Sequence, residues 1–307
     1  MSKRILITGG TGFIGSRLVS GWLADGHEIS VLTRRPQRVI ERWGGRVTGV
    51  SDLYQLTGPF DWLINLAGEG IADQRWTAAR KRELRDSRIG VTGKLAEWAM
   101  HTGQRFDVVA SGSAIGVYGA LAGTAEQQTV DEASRVGQDF AAQLCTDWEA
   151  AAQPLYGLSE RSLMLRTGVV LGERGGMLGR LWLPFSLGLG GRIGNGEQYL
   201  SWIHIDDYIA ALNALLVSDA VGVFNMVAPE PVTNTRFTHE LVHCLGRPAL
   251  LPMPAAVVRL LFGEMADLLL KGQRVLPARL LERTFAYHYA TLPEALESIR
   301  QVWANSR

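Results

Sequence analysis

The sequence predicts a doubly wound α/β fold, a parallel sheet covered by helices on both faces, with a small and mostly helical C-terminal lobe. Three observations carry that expectation. Short apolar runs alternate with helical patterns through the first two-thirds of the 307 residues, as a buried parallel sheet requires. A glycine triplet, Gly9, Gly12 and Gly15, stands between the first apolar run and the first amphipathic pattern. Past Ala228 the alternation stops, and Pro229, Pro231, Pro248, Pro252 and Pro254 punctuate a helical region rich in Leu and Arg.

Taken in order, Arg4 to Thr8 is a buried strand and Phe13 to Asp25 a helix that Gly26 ends. Strands follow at Glu28 to Thr33, Arg46 to Val50 and Trp62 to Leu66. Trp76 to Met100 is helical, Asp107 to Ala110 is strand, and Asp139 to Ala152 is helical again. Ser162 to Leu165 and Val223 to Val227 complete the sheet. Residues 1–227 form the expected nucleotide-binding domain, with 172–202 contributing to the smaller lobe, and residues 228–307 form the C-terminal substrate-side domain.

The totals narrow the partners. A net charge of +1 gives no field for nucleic acid or an anionic membrane. No apolar run reaches the roughly 20 residues that span a bilayer. Only Ile5-Leu6-Ile7 follows the basic Lys3-Arg4, too short for a signal peptide. Cys145 and Cys244 make no disulfide framework. A cytoplasmic protein with a small-molecule substrate is expected.

The glycine triplet lies in ITGGTGFIGS (7–16). Gly9 and Gly12 allow a tight turn and close approach to a pyrophosphate, and Gly15 allows close helix–strand packing. A dinucleotide would then set its phosphates on Gly9, Thr11, Gly12, Phe13 and Ile14, at the positive end of a helix. The second strand ends in Thr33-Arg34-Arg35, without the acid that NAD sites place there for the ribose. Two guanidiniums suit a 2′-phosphate instead, so the expected cofactor is NADP(H). Asp52 and Leu53 would flank the adenine, and Leu66-Ala67-Gly68 would face ribose and phosphates.

These motifs, with the serine turn SGSAIGVYG (111–119), LRTGVVLG (165–172) and WIHIDDYIAA (202–211), resemble the extended short-chain dehydrogenase/epimerase superfamily. NLAGEGIADQRW, DSRIGVTGKL, DFAAQLCTDWEAA and GQRVLPARLLERTFAYHYATLPEAL are similar to its atypical YfcH-like subgroup, grouped with nucleoside-diphosphate-sugar epimerases and carrying a C-terminal domain of unknown function. The resemblance implies a Rossmann-type sheet. It places Ser111 and Ser113 at the nicotinamide, Ser113 as the catalytic serine, with Thr167, Gly168 and Val169 passing beneath. Trp202 and Leu183 to Asn195 would wall the substrate pocket.

The chain departs from the superfamily in two places. The partner pair Tyr-x-x-x-Lys is missing, since none of Lys3, Lys81, Lys94 and Lys271 has a tyrosine four residues before it. Proton transfer must then come from Tyr118, from Glu69 if burial raises its pKa, or not at all. Arg88 stands where related enzymes often place a helix asparagine. The arginine that holds a sugar nucleotide's diphosphate is replaced in Tyr199-Leu200-Ser201-Trp202. Two function classes follow: an oxidoreductase or epimerase on a small carbonyl or alcohol, and a catalytically inactive NADP(H)-binding sensor.

Other patterns carry less. His239-Glu240-Leu241-Val242-His243 matches HExxH, but Phe237, Leu241, Cys244 and Leu245 share the apolar arc and leave the histidines on the outer face, so no metal is expected. Arg75, Arg80, Lys81, Arg82, Arg85 and Arg88 read as a solvated basic face without interleaved aromatics. Phe140, Leu144, Cys145, Trp148 and Ala152 form a core stripe or a homodimer seam.

Overall fold

A computed structural model describes residues 2–121, 128–173, 175–248 and 251–305. Its first half runs β1 (Arg4–Thr8), α1 (Phe13–Ala24), β2 (Glu28–Leu32), α2 (Gln37–Trp43), β3 (Thr48–Val50), β4 (Trp62–Asn65), α3 (Ala78–Arg85), α4 (Val91–His101) and β5 (Phe106–Ala114). Then come β6 (Thr129–Val130), α5 (Phe140–Tyr156), β7 (Ser159–Thr167), β8 (Val169–Leu171), α6 (Gly176–Ser186), β9 (Tyr199–Leu200), β10 (Trp202–His204), α7 (Ile205–Val217) and β11 (Gly222–Met226). The chain ends with β12 (Val232–Thr233), α8 (Asn234–Leu245), α9 (Ala255–Phe262), α10 (Asp267–Leu270), β13 (Arg274–Val275), α11 (Ala278–Glu282) and α12 (Leu292–Asn305).

Seven strands form one parallel sheet in the order β11-β7-β5-β4-β1-β2-β3. The order reverses between β1 and β4, and a crevice opens there at the carboxyl ends of the strands. Alternation along each strand splits the core. Ile5 and Ile7 pack with Leu18 and Trp22 of α1 and Leu212 and Leu216 of α7. Leu6, Leu63 and Val109 pack on the other face with Leu95 and Trp98 of α4 and Leu155 of α5. The lobe has its own core, in which Trp182, Phe185, Trp202, Phe237, Leu241 and Leu296 join α6, α8 and α12.

Three local differences from the expected elements affect the site. β5 continues to Ala114 because its small residues stay in the ladder: Ser111 pairs with Asn65 and Met164, and Ser113 with Arg166. The serines therefore lie on a strand, and the turn begins at Ile115. The helical stretch 76–100 is α3 and α4 joined by a π-turn over Asp86–Gly90, after an N-cap at Thr77 whose side chain accepts from the Arg80 amide. Trp202 is fully buried and donates to the Glu230 carbonyl at 3.0 Å, so it is a core residue of the lobe rather than a pocket wall.

Residues beyond 228 also run back along the sheet. β13 pairs with β6, Arg279 donates to the Val221 and Val223 carbonyls, and Tyr287 donates to the Val227 carbonyl. Among the described residues no helix is long and apolar enough to cross a membrane.

Candidate functional site

The first βα turn is shaped by its glycines. Gly9 has φ +70°, and a Cβ there would come within 2.5 Å of the Leu66 carbonyl oxygen. A Cβ on Gly15 would collide with the Gly9 carbonyl, to which the Gly12 amide donates at 2.9 Å. Gly12 starts α1 in an extended conformation, and no side chain caps the helix. The first-turn N–H groups are therefore left for an anion at the positive end of the dipole. Phe13 and Ile14 turn their side chains onto the core. Phe13 also lies under Gly172, Gly175 and Gly176, where added Cβ atoms would press on its ring, and an Arg17–Glu173 ion pair ties that segment to α1.

A cleft of about 1040 Å³ opens along this edge. It gathers Thr11, Thr33 and Arg34 with Asp52, Leu53, Ala67 and Gly68, from the ends of four strands. Asp52 accepts from the Tyr54 amide at 3.0 Å and starts the short turn that presents Leu53. Leu66 packs against the core and closes on Gly9. Arg35 is exposed, and its amide donates to Thr33 Oγ1 at 3.2 Å.

Glu69 lines the same cleft, and its Oε1 accepts from Arg34 Nη2 at 2.7 Å. The burial expected of it is only partial: its side chain is 31% exposed and pairs with the Arg34 guanidinium.

Beneath the cleft lies a chain of buried hydrogen bonds. Thr8 Oγ1 donates to Asn65 Oδ1 at 2.8 Å and accepts from the Ala67 amide. Asn65 Nδ2 donates to Thr92 Oγ1 at 2.8 Å and to Ser111 Oγ at 3.2 Å, and Trp148 Nε1 also donates to Thr92. Ser111 is fully buried, and its hydroxyl helps to fix the β4 loop.

Ser113 belongs to a second network, absent from the sequence reading. Its Oγ donates to Glu149 Oε1 at 2.7 Å, and Arg166 grips the same carboxylate through Nε at 2.9 Å and Nη2 at 3.0 Å. A carboxylate so held accepts only, so the serine proton points at Glu149 and the remaining acceptor capacity of Oγ is left for a neighbour. Burial works against the Arg166 charge, but the hydrogen bond and charge of Glu149 outweigh it and hold the guanidinium above its usual range.

Tyr118 is 1% exposed, donates to Asn225 Oδ1 at 2.7 Å and accepts from Arg166 Nη1 at 3.2 Å. Burial raises its pKa. This corrects the expected catalytic role: Tyr118 is a packed phenol that supports Arg166. Thr167 shares a hydrogen bond with Tyr208 at 3.3 Å, Gly168 donates to the Met226 carbonyl, and Val169 donates to Ser201. These three residues bridge β7 to β11 and the lobe.

The π-turn brings Arg88 back over the site. It donates to the Glu69 carbonyl at 2.8 Å, stacks over Trp148, and lies where a Cβ on Gly68 would be. Burial lowers its pKa. The rest of the basic stretch is largely paired: Arg80 with Glu83, Lys81 with Glu264, and Arg85 with Asp147. The Lys81 pair ties α3 to Glu264, in the segment between α9 and α10. Cys145 is buried, and its thiol is pushed up to about 12 by desolvation.

Residues 5–226 match the NAD dependent epimerase/dehydratase family, and residues 253–299 match a domain of unknown function, DUF1731. The chain belongs to the NAD-dependent epimerase/dehydratase family. It is 41% identical to the human epimerase family protein SDR39U1 over 303 residues, covering 96% of this chain and 99% of the relative. A Mycobacterium bovis epimerase family protein is 40% identical over 295 residues, 95% of this chain and 96% of the relative. The crystal structure of human SDR39U1 with NADPH superposes with a TM-score of 0.86 at 36% identity, covering 97% of this chain and 99% of that one. UDP-glucuronic acid 4-epimerase from Bacillus cereus, with a TM-score of 0.78 at 18% identity over 99% of this chain and all of that one, shares the fold.

The sequence marks each member of the missed pair but not their meeting. Arg166 is a charge at the end of the otherwise apolar run Leu163-Met164-Leu165, and Glu149 lies one helical turn after Cys145.

Proposed function

We propose that this family member is an NADP(H)-dependent oxidoreductase or epimerase acting on a small carbonyl–alcohol pair. The observation that carries the reading is a glycine cradle for a pyrophosphate beside a guanidinium at the end of β2, where an NAD site holds an acid. The NADPH bound to the human relative supports the same cofactor here. When bound, the nicotinamide supplies hydride exchange. The chain's own parts then divide the work. The first-turn amides of α1 hold the pyrophosphate, Arg34 holds the 2′-phosphate, and Ser113 orients the substrate oxygen. With its proton directed at Glu149, Ser113 accepts from the hydroxyl of the alcohol form.

The stretch Tyr199 to Trp202 argues against a sugar nucleotide. Ser201 is occupied by the Gln273 carbonyl and the Val275 amide, and Trp202 is core. A second reading, a regulatory NADP(H)-binding protein without turnover, is favoured by one observation: the packed phenol of Tyr118 replaces no part of the missing Tyr-x-x-x-Lys pair. The test is NADPH titration followed by NADPH consumption against aldehydes, ketones and quinones, with Ser113→Ala as control. Turnover lost in the control supports the enzyme. Binding without turnover on any substrate supports the regulatory reading, and absence of binding overturns both.

A further inference from the structure

We propose that Glu69 sets coenzyme preference, by competing with the cofactor's 2′-phosphate for Arg34. The inference rests on the NADP(H) reading above. Arg34 rises from the end of β2 with its side chain 89% exposed, and the partner it finds is Glu69, from the loop after β4. Both line one cleft, between the glycine turn and the Ser51 to Tyr54 segment. The backbone under Glu69 is fixed from two directions. Its amide donates to Ser87 Oγ at 3.1 Å, and its carbonyl accepts from Arg88 Nη2 at 2.8 Å. The carboxylate can swing by its own rotamers, but the Cα stays at the cleft.

A dianionic 2′-phosphate that seats on Arg34 therefore arrives beside a negative charge already paired there. It must displace that carboxylate and then tolerate it nearby. A ribose carrying only a 2′-hydroxyl meets the opposite situation, because a hydroxyl donates to a carboxylate. Glu69 thus supplies, from the β4 loop, the acid missing from the end of β2, and Arg34 and Glu69 pull coenzyme choice in opposite directions. The anchored backbone gives Glu69 this role through its charge alone, so a neutral isostere isolates it.

The experiment measures NADPH and NADH dissociation constants at low salt for the whole chain, for Glu69→Gln, for Arg34→Ala and for the double variant. Glu69→Gln should tighten NADPH by about 2- to 5-fold, the scale of one exposed ion pair, and weaken NADH by a similar factor. In the Arg34→Ala background the same substitution should lose its effect on NADPH, because the competition then has no object. An unchanged or weaker NADPH affinity in Glu69→Gln overturns the proposal, as does an undiminished gain without Arg34. If the unaltered chain binds neither dinucleotide, the cofactor reading itself fails.

Discussion

Ser113 and Glu149 are joined by a 2.7 Å hydrogen bond whose carboxylate is gripped on its other side by Arg166. Arg166 is 8% and Glu149 16% exposed, so this ion pair is held away from most water. Removing one partner strands a buried charge, which costs ~3–5 kcal/mol. Glu149→Ala should therefore destabilise the fold on that scale, read as a lowered midpoint in denaturant. The Glu149→Leu/Arg166→Met pair should recover most of the loss, since a packed apolar pair is often neutral. Equal losses for the single and double variants would show that the cluster's shape, not its charge balance, is what matters.

The glycines of the first turn are ranked by what a methyl group would meet. Gly9→Ala and Gly15→Ala both run into backbone, and Gly9 is also left-handed, so each should cost ~1–3 kcal/mol of stability and abolish measurable NADPH binding. Gly12→Ala meets only the Gly9 carbonyl at 3.1 Å. It should leave stability nearly unchanged and weaken binding through the closer approach of its methyl group to phosphate. Calorimetric binding and thermal unfolding of the three variants check the ranking, which fails if Gly12→Ala unfolds as easily as the others.

In the proposed NADP(H) reading the 2′-phosphate sits on Arg34. Hydrogen bonds to a charged group are worth ~1.5–3 kcal/mol, so Arg34→Ala should weaken NADPH by about 10- to 100-fold. NADH, which has no 2′-phosphate, should change little. Fluorescence titration with both nucleotides gives the ratio, and parallel losses would move the 2′-phosphate to another cation.

The sheet, its helices and the phosphate turn were legible because they follow local rules: apolar runs, a glycine triplet, an amphipathic period. The acid-free end of β2 was legible for the same reason, since the rule concerns one strand end. Glu149 and Arg166 were not, because their meaning is the meeting of α5 with β7, which no spacing records. Glu69 shows the same limit. The sequence places it after NLAG, but the partner it meets, Arg34, stands 35 residues away, at the end of β2. Trp202 was misplaced because an aromatic beside a candidate pocket and an aromatic in a second core look alike in sequence. Only the packing of α6, α8 and α12 around it separates the two.

His204 gives the fold a pH dependence with a definite sign. It is 2% exposed, its Nδ1 accepts from the Asp206 amide at the start of α7, and its ring lies 4.0 Å from that of Tyr289. Burial lowers its pKa below the ordinary 6.5, with Arg17 and His288 acting in the same direction and Asp206 and Asp207 opposing them. Between the ordinary value and the lower folded one, the unfolded chain binds more protons than the folded chain. Stability is then complete above the ordinary value and is lost as pH falls through that window toward the folded pKa. His204→Asn keeps an acceptor for the Asp206 amide but does not titrate. Unfolding free energies from about pH 7.5 down to about pH 5, either side of the free histidine pKa, should fall less steeply in the variant than in the unaltered chain. Identical slopes would mean that the proton is taken up by a group other than His204.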